Sequence, residues 1–114
     1  MDVKMINDKL DAFILCLNEQ RFYDAHEALE AIWFPRRFEK SNEVKLLKGF
    51  INASVSFELY KLGRIEQSKK VWANYIKYRQ LLLKIDSEHR NRYFQLSRQL
   101  EAINHQKVTK TIKL

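Results

Sequence analysis

The chain contains few residues that interrupt helices. It has two glycines and one proline among its 114 residues, well below the roughly 7% and roughly 5% that these residues average in proteins. Tight turns depend on glycine and proline, so the sequence excludes a fold of many short strands joined by such turns. A small number of long helices is expected instead.

The chain also lacks paired cysteines and long apolar runs. Cys16 is the one cysteine, which excludes an internal disulfide and a metal site built from several thiolates. No stretch approaches the about 20 apolar residues that a membrane-spanning helix needs. Residues 1–11 carry acids where a signal peptide needs an apolar core. We therefore expect a cytoplasmic protein with no membrane partner.

The residues that are present suffice for one hydrophobic core. Hydrophobic residues make up 46% of the chain and aromatic residues 12%, as is typical of a globular domain. A chain of this length is expected to form a single domain. We predict a helical domain over residues 1–106 and an extended or frayed tail over residues 107–114.

Apolar residues recur at spacings of three and four, which predicts amphipathic helices. The expected helices cover residues 3–17, 21–34, 43–62 and 64–85, with a fifth after Asp86 or Ser87. The predicted fold class is all-α, a compact bundle of about five helices built from helical hairpins. The helix over residues 43–62 carries two apolar stripes, so it should be the central one. Gly49 inside it predicts a close approach by a neighbouring helix.

The segment 21–33, RFYDAHEALEAIW, places a histidine, two glutamates and a tryptophan on one short helix. His26 and Glu30 lie one turn apart at the edge of its apolar face, where they can touch. Glu27 lies nearer to solvent. The letters HEALE resemble the zinc-protease pattern His-Glu-x-x-His, but the second histidine is absent.

Glu58 lies at the centre of an apolar stripe on the third predicted helix, where an unpaired carboxylate is costly. The most economical partner is His26, so we predict that the two side chains pair between the second and third helices. Such a pair can be a structural tie, part of a ligand or metal site, or a catalytic acid–base pair. Asn52 either lines the same pocket or bonds only to local backbone. The candidate pocket comprises His26, Glu27, Glu30, Trp33, Asn52 and Glu58.

Positive charge is concentrated in the second half of the chain. The net charge is +7, yet residues 1–60 carry 8 Lys/Arg against 10 Asp/Glu, and residues 61–114 carry 13 against 4. Lys70, Lys77 and Lys84 form one outer row, while Tyr75 and Tyr78 face the predicted core. Because the row lacks aromatic residues to stack on bases, we expect it to serve solubility, with no nucleic-acid binding at physiological salt.

The run RFYDAHEALEAIW, followed by LLKGFINASVSFELYKLGRIEQSKKVW, resembles a family of small helical proteins catalogued as domain of unknown function 309. The family pattern is an apolar or aromatic residue, then Ala-His-Glu-x-x-Glu-x-x-Trp, then a helix opening with Leu-Leu-x-Gly-x-Ile. The matching residues are Phe22, Ala25, His26, Glu27, Glu30, Trp33, Leu46, Leu47, Gly49, Ile51 and Gly63.

The resemblance implies an all-α bundle with a shared polar cluster around His26, Glu27, Glu30 and Trp33, and it implies no activity. The chain departs from the pattern at Asn52, where relatives often carry glutamine. It departs again at Glu58, where they often carry histidine. A metal site built from two histidines is therefore not expected.

These features leave three functions open. The one we favour is a small binding or interaction module with a polar pocket between the second and third helices, for an unknown small ligand or protein partner. The second is a metal-dependent enzyme with His26, Glu30 and Glu58 as ligands and Glu27 or bound water as base. The third is a nucleic-acid-associated protein that acts through the basic second half. We expect no cofactor and no tightly bound zinc, because no thiolates converge.

Overall fold

The computed structural model describes the backbone of residues 3–112 and the side chains of residues 3–107. The described backbone forms five α-helices, α1 (Val3–Asn18), α2 (Phe22–Trp33), α3 (Asn42–Lys61), α4 (Ile65–Arg79) and α5 (Arg90–Ile112). Short 3-10 helices follow α2 at Phe34–Arg36 and α4 at Gln80–Lys84. Residues 3–112 contain no strand, and the predicted all-α bundle of about five helices is confirmed. None of the described helices combines the length and apolar character needed to cross a membrane.

Local sequence signals set the ends of the central helix. Ser41 precedes α3, and its Oγ accepts a hydrogen bond of 3.2 Å from the backbone N–H of Val44, as an N-cap does. Gly63 follows α3 with a φ of +82°, the left-handed conformation that glycine tolerates best. The spacing of Leu62 in the sequence placed it on an apolar stripe of the helix. Leu62 is nevertheless 63% exposed, because α3 ends at Lys61.

α3 is the centre of the bundle, as its double apolar stripe predicted. Phe50 and Phe57 lie on it and are 0% and 2% exposed. Their rings join a continuous aromatic network that links α2, α3, α4 and α5 with ring centroids 4.7–6.2 Å apart. Aromatic pairs at such separations add stability beyond the area that they bury. The network contains Phe22, Phe50, Phe57, Trp72, Tyr75 and Tyr93.

Polar contacts fix α5 against two other helices. Arg92 on α5 lies 2.6 Å from the Asp11 carboxylate on α1. The Tyr75 hydroxyl on α4 donates to Glu101 on α5 over 3.0 Å, and Arg79 donates to the other oxygen of Glu101 over 2.9 Å. The backbone of α5 stays helical to Ile112, through most of the segment for which we expected an extended tail. Residues 113–114 of that expected tail lie outside the described residues.

Gly49 is where α4 comes closest to α3. A β-carbon placed on Gly49 would lie 2.7 Å from the β-carbon of Tyr78 on α4. Carbon atoms in ordinary contact are about 3.5–4.0 Å apart, so only glycine fits this approach. The close approach predicted from the sequence is therefore present, and Tyr78 is its partner.

We expect Gly49→Ala to lower the free energy of unfolding by about 1–3 kcal/mol, the usual cost of overpacking. The loss should appear even though alanine is favoured over glycine in a helix by about 1 kcal/mol. The atom struck is a β-carbon next to the backbone, so relief requires the helices to move apart. Urea denaturation followed by circular dichroism measures the change.

Lys48→Ala is the matched control, because Lys48 is exposed on the same helix turn. It should change the unfolding free energy by no more than about 0.5 kcal/mol. A Gly49→Ala variant that is as stable as the unaltered chain would contradict the packing argument.

Candidate functional site

His26 contacts a carboxylate of its own helix, α2. Its Nε2 lies 2.6 Å from Oε2 of Glu30, the contact that a spacing of four allows. The Tyr23 ring meets the His26 ring edge-on, with ring centroids 5.9 Å apart and an interplanar angle of 89°. All three residues come from one helix, so their arrangement needs no support from a neighbouring element.

Glu27 completes this surface. Its carboxylate interacts with the Tyr23 phenol, which favours the protonated phenol and raises the pKa of Tyr23. With Ala31, these side chains line an open depression of about 450 Å³. We call Tyr23, His26, Glu27 and Glu30 the α2 face.

The other predicted pocket residues lie apart from the α2 face. Trp33 is half-buried and packs against the core. Asn52 donates to the carbonyl of Lys48 over 2.8 Å and accepts a bond of 3.4 Å from Asn74 on α4. The side chain of Asn52 therefore bonds local backbone and also α4, and it does not line the depression of the α2 face.

Glu58 does not pair with His26. Within residues 3–107, the carboxylate that contacts the His26 ring is that of Glu30, and no such contact links His26 to Glu58. Two physical reasons account for this. Glu30 is already within reach on the same helix, and Glu58 is only half-buried, so water can solvate its carboxylate. The pairing predicted between the second and third helices is therefore wrong.

The metal-ligand set considered for these residues is likewise not assembled. In the described side chains, no three His, Cys, Asp or Glu residues come together in a way that could hold a metal ion. His26 and Glu30 supply two donors at one point of α2, but Glu58 does not join them.

A polar cluster at the start of α3 was missed by the sequence analysis. Glu43 Oε1 lies 3.1 Å from Nη1 of Arg36. Its Oε2 accepts hydrogen bonds from the Ser87 hydroxyl over 2.7 Å and from the Tyr93 hydroxyl over 2.8 Å. Burial by itself raises the pKa of Glu43, but the bonds from Ser87, Tyr93 and Arg36 outweigh it, so the pKa is lowered.

His89 belongs to the same region and is only 4% exposed, a burial that the sequence analysis missed. Its ring lies 6.2 Å from the Tyr93 ring. A sequence signal for this burial exists, because His89, Tyr93, Leu96 and Leu100 follow a four–three–four spacing that is typical of one buried helix face.

The basic row of the second half is arranged as its spacing predicted. Lys70, Lys77 and Lys84 are exposed. Tyr75 is fully buried in the aromatic network, and Tyr78 packs its β-carbon against Gly49. Tyr75 therefore offers the row no outward ring on which a base could stack, whereas the part-buried Tyr78 ring lies 5.5 Å from the Lys77 ammonium. The absence of nucleic-acid binding stays a prediction.

Comparison with known proteins finds a family model that covers residues of the first four helices. A family model described as Domain of unknown function (DUF309) matches residues 10–71, more than half of the chain. The matched segment includes the α2 face, Gly49 and the start of α4. Comparisons with curated proteins and with solved structures give no match.

The lowered pKa of Glu43 makes part of the stability pH-dependent. A carboxylate whose pKa is lower in the folded than in the unfolded chain stabilises the fold fully above its unfolded pKa. The ordinary pKa of this group is about 4.5. The stabilising contribution begins to fall as the pH drops below that value, and it is lost once the pH has passed the lower pKa of the folded chain. We expect Glu43→Gln to lower the free energy of unfolding by about 1–3 kcal/mol at neutral pH, with a difference that shrinks on acidification.

Glu39→Gln is the matched control, because it removes the exposed partner of the same arginine. It should cost less than about 1 kcal/mol at neutral pH. Urea denaturation at a series of pH values measures both variants. A Glu43→Gln difference that stays constant down to acidic pH would contradict the role assigned to the carboxylate.

The exposure of the His26–Glu30 pair predicts a small contribution to stability. Its side chains are 27% and 41% exposed, and ion pairs of this spacing on a helix contribute about 0.3–0.5 kcal/mol. We expect His26→Ala to change the free energy of unfolding by less than about 1 kcal/mol. His89→Ala, which removes a buried ring, should cost more than about 2 kcal/mol. Equal losses in thermal or urea unfolding would mean that His26 is a structural tie.

Proposed function

The chain belongs to the family described as Domain of unknown function (DUF309), and we propose that it is a small binding module whose α2 face engages a basic segment of a protein partner. One observation carries the proposal. The α2 face is ordered by contacts within one helix, yet it is turned away from the core. Its side chains are therefore preorganised for contacts that the bundle itself does not use.

The charge of α2 specifies the class of partner. Residues 22–33 include Asp24, Glu27 and Glu30 and no lysine or arginine, in a chain whose net charge is +7. In the described part of the chain, neither Glu27 nor Glu30 forms an ion pair with a lysine or arginine. An acidic surface of this kind favours encounter with a cationic partner and disfavours an acidic one.

Exposed aromatic groups extend the α2 face at its C-terminal end. Phe34 follows Glu30 by four residues, so it continues the same side of the helix. The Arg37 guanidinium stacks 3.7 Å over the Phe34 ring and 4.5 Å over the Phe38 ring. Phe38 is 84% exposed and can gain burial only from another molecule. Aromatic and arginine side chains are enriched among the residues that dominate interface energies.

Neither alternative function gains comparable support. Among the described side chains, no third ligand for a metal-dependent enzyme joins the His26–Glu30 pair. The basic row of Lys70, Lys77 and Lys84 supplies positive charge, but Tyr75 beside it is buried and cannot stack on a base, and single-strand binding combines charge with such stacking.

A peptide-display selection on the full chain tests the proposal. We expect enriched peptides that combine lysine or arginine with apolar residues. The Glu27→Lys/Glu30→Lys variant should weaken their binding at least tenfold, the equivalent of about 1.4 kcal/mol. Isothermal titration at two salt concentrations measures the affinities, which should fall as salt rises.

Asp86→Lys/Glu88→Lys is the matched control, because it makes the same change in charge at two exposed acids outside α2. It should leave the affinities within about twofold, a small fraction of the tenfold change above. Circular dichroism confirms that both variants fold. If no basic peptide is enriched, or if both variants lose affinity equally, the α2 face is not the docking surface.

A further inference from the structure

An open groove lies between the 3-10 helix Gln80–Lys84 and the first half of α5. Its volume is about 580 Å³. Leu82 and Leu83 line it from the 3-10 helix, and the half-buried Phe94 lines it from α5. We call it the α5 groove. It shares no residue with the α2 face, and its residues lie outside the segment that the family model matches.

The local sequence leaves one leucine of the groove exposed. Three leucines in succession, residues 81–83, lie on the 3-10 helix. Because a 3-10 helix has three residues per turn, successive side chains point about 120° apart and cannot share one buried face. Leu82 is 6% exposed, whereas Leu83 is 75% exposed. Leu83 therefore presents apolar surface that only another molecule can bury.

The groove carries positive charge that the bundle does not pair. Lys84 and Arg98 line it and are exposed. Within the described residues 3–107, no carboxylate forms an ion pair with either side chain. Arg90 places its guanidinium 5.6 Å from the centre of the Phe94 ring, so a third cation borders the groove.

The one acid that lines the groove is already engaged. Glu101 Oε1 accepts a hydrogen bond of 2.9 Å from Arg79. Its Oε2 accepts bonds of 3.0 Å from the Tyr75 hydroxyl and 2.9 Å from the Ser97 hydroxyl. The charge of Glu101 is therefore balanced by Arg79, and Lys84 and Arg98 keep an unbalanced positive field at the groove.

Two kinds of anionic partner fit this groove poorly. A nucleic-acid base needs an open ring face on which to stack, whereas Phe94 packs against the core and has the Arg90 guanidinium over its ring. A membrane surface takes several apolar side chains that protrude together. Leu83 is the one large apolar side chain among the residues lining the groove that is exposed.

We propose that the α5 groove docks an acidic, amphipathic helix of a partner protein. One large apolar side chain of that helix packs against Leu82, Leu83 and Phe94. Carboxylates one turn away contact Lys84 and Arg98. Grooves commonly recognise the apolar face of such a helix, and the cations select an acidic partner. The α2 face selects the opposite charge, so either assignment can fail without the other.

Selection of a display library of helical peptides on the full chain tests the proposal. We expect a class of enriched peptides in which glutamate or aspartate flanks leucine or phenylalanine at helical spacing. The most enriched acidic peptide is then synthesised with a fluorescent label, and fluorescence anisotropy measures its affinity. The affinity should fall as salt rises. Replacing the apolar residues of the peptide by alanine should weaken binding about tenfold or more.

An exposed leucine elsewhere gives a matched control for the apolar contact. Leu83→Ala should weaken the acidic peptide about tenfold or more, because the variant removes the apolar surface that the peptide buries. Leu62→Ala makes the same change at a leucine that is 63% exposed and does not line the groove. It should leave the affinity within about twofold, well below the tenfold loss.

The outer row gives a matched control for the charge. Lys84→Glu/Arg98→Glu should weaken the acidic peptide about tenfold or more by reversing the local field. Lys70→Glu/Lys77→Glu makes the same change in net charge at two exposed lysines that do not line the groove. It should leave the affinity within about threefold, since exposed charges are screened over about 8 Å at physiological salt. Circular dichroism confirms that every variant folds.

Three results would overturn the assignment. They are the absence of any enriched acidic peptide, losses in the control variants as large as those in the groove variants, and a tighter, Leu83-dependent affinity for single-stranded DNA or anionic phospholipid vesicles. Analytical ultracentrifugation covers the remaining occupant. Self-association that is lost both in Leu83→Ala and in Glu27→Lys/Glu30→Lys would make a second copy of the chain the occupant, and it would overturn the partner protein.

Discussion

The close approach of α4 to α3 at Gly49 is the constraint on which the rest of the bundle depends. With no side chain on Gly49, the β-carbon of Tyr78 can occupy the space that any other residue would fill. The same approach brings Tyr75 and Trp72 on α4 against Phe50 and Phe57 on α3. A wider spacing would separate these ring pairs, since an aromatic contact is lost over little more than an ångström.

Because α3 is buried on two sides, α2 packs on it with one face and leaves its other face exposed. Leu29 and Ile32 turn inward and are fully buried, and they provide the contacts that hold α2 on the bundle. The α2 face lies away from these two residues, and its ion-pair and ring contacts in the described part of the chain are within its own helix. Polar side chains can therefore be kept there at little cost in stability, because water still reaches them.

The sequence reveals those features that depend on residues close together in the chain. The helices, the central position of α3, the Ser41 cap and the His26–Glu30 contact all follow from spacings of about four residues. The Glu43 cluster joins positions separated by 44 and 50 residues, and no local pattern encodes such a meeting. The missed burial of His89 and the wrong pairing of His26 with Glu58 have a related origin, since each depends on how far water penetrates between packed helices.

The buried polar groups of the bundle differ from the groups that are available for binding, because the buried groups already have partners. In the described residues 3–107, every buried side-chain nitrogen or oxygen has a hydrogen-bond partner. Glu43 is engaged by Arg36, Ser87 and Tyr93, so its perturbed pKa arises from a structural tie. A residue with a shifted pKa can mark an active site or an ion-pair network. Because the carboxylate of Glu43 is already bonded, Glu43 belongs to an ion-pair network. Recognition is therefore left to exposed surfaces such as the α2 face, whose Glu27 and Glu30 form no ion pair with a lysine or arginine in the described part of the chain. The net charge of +7 describes the whole chain and not this acidic face.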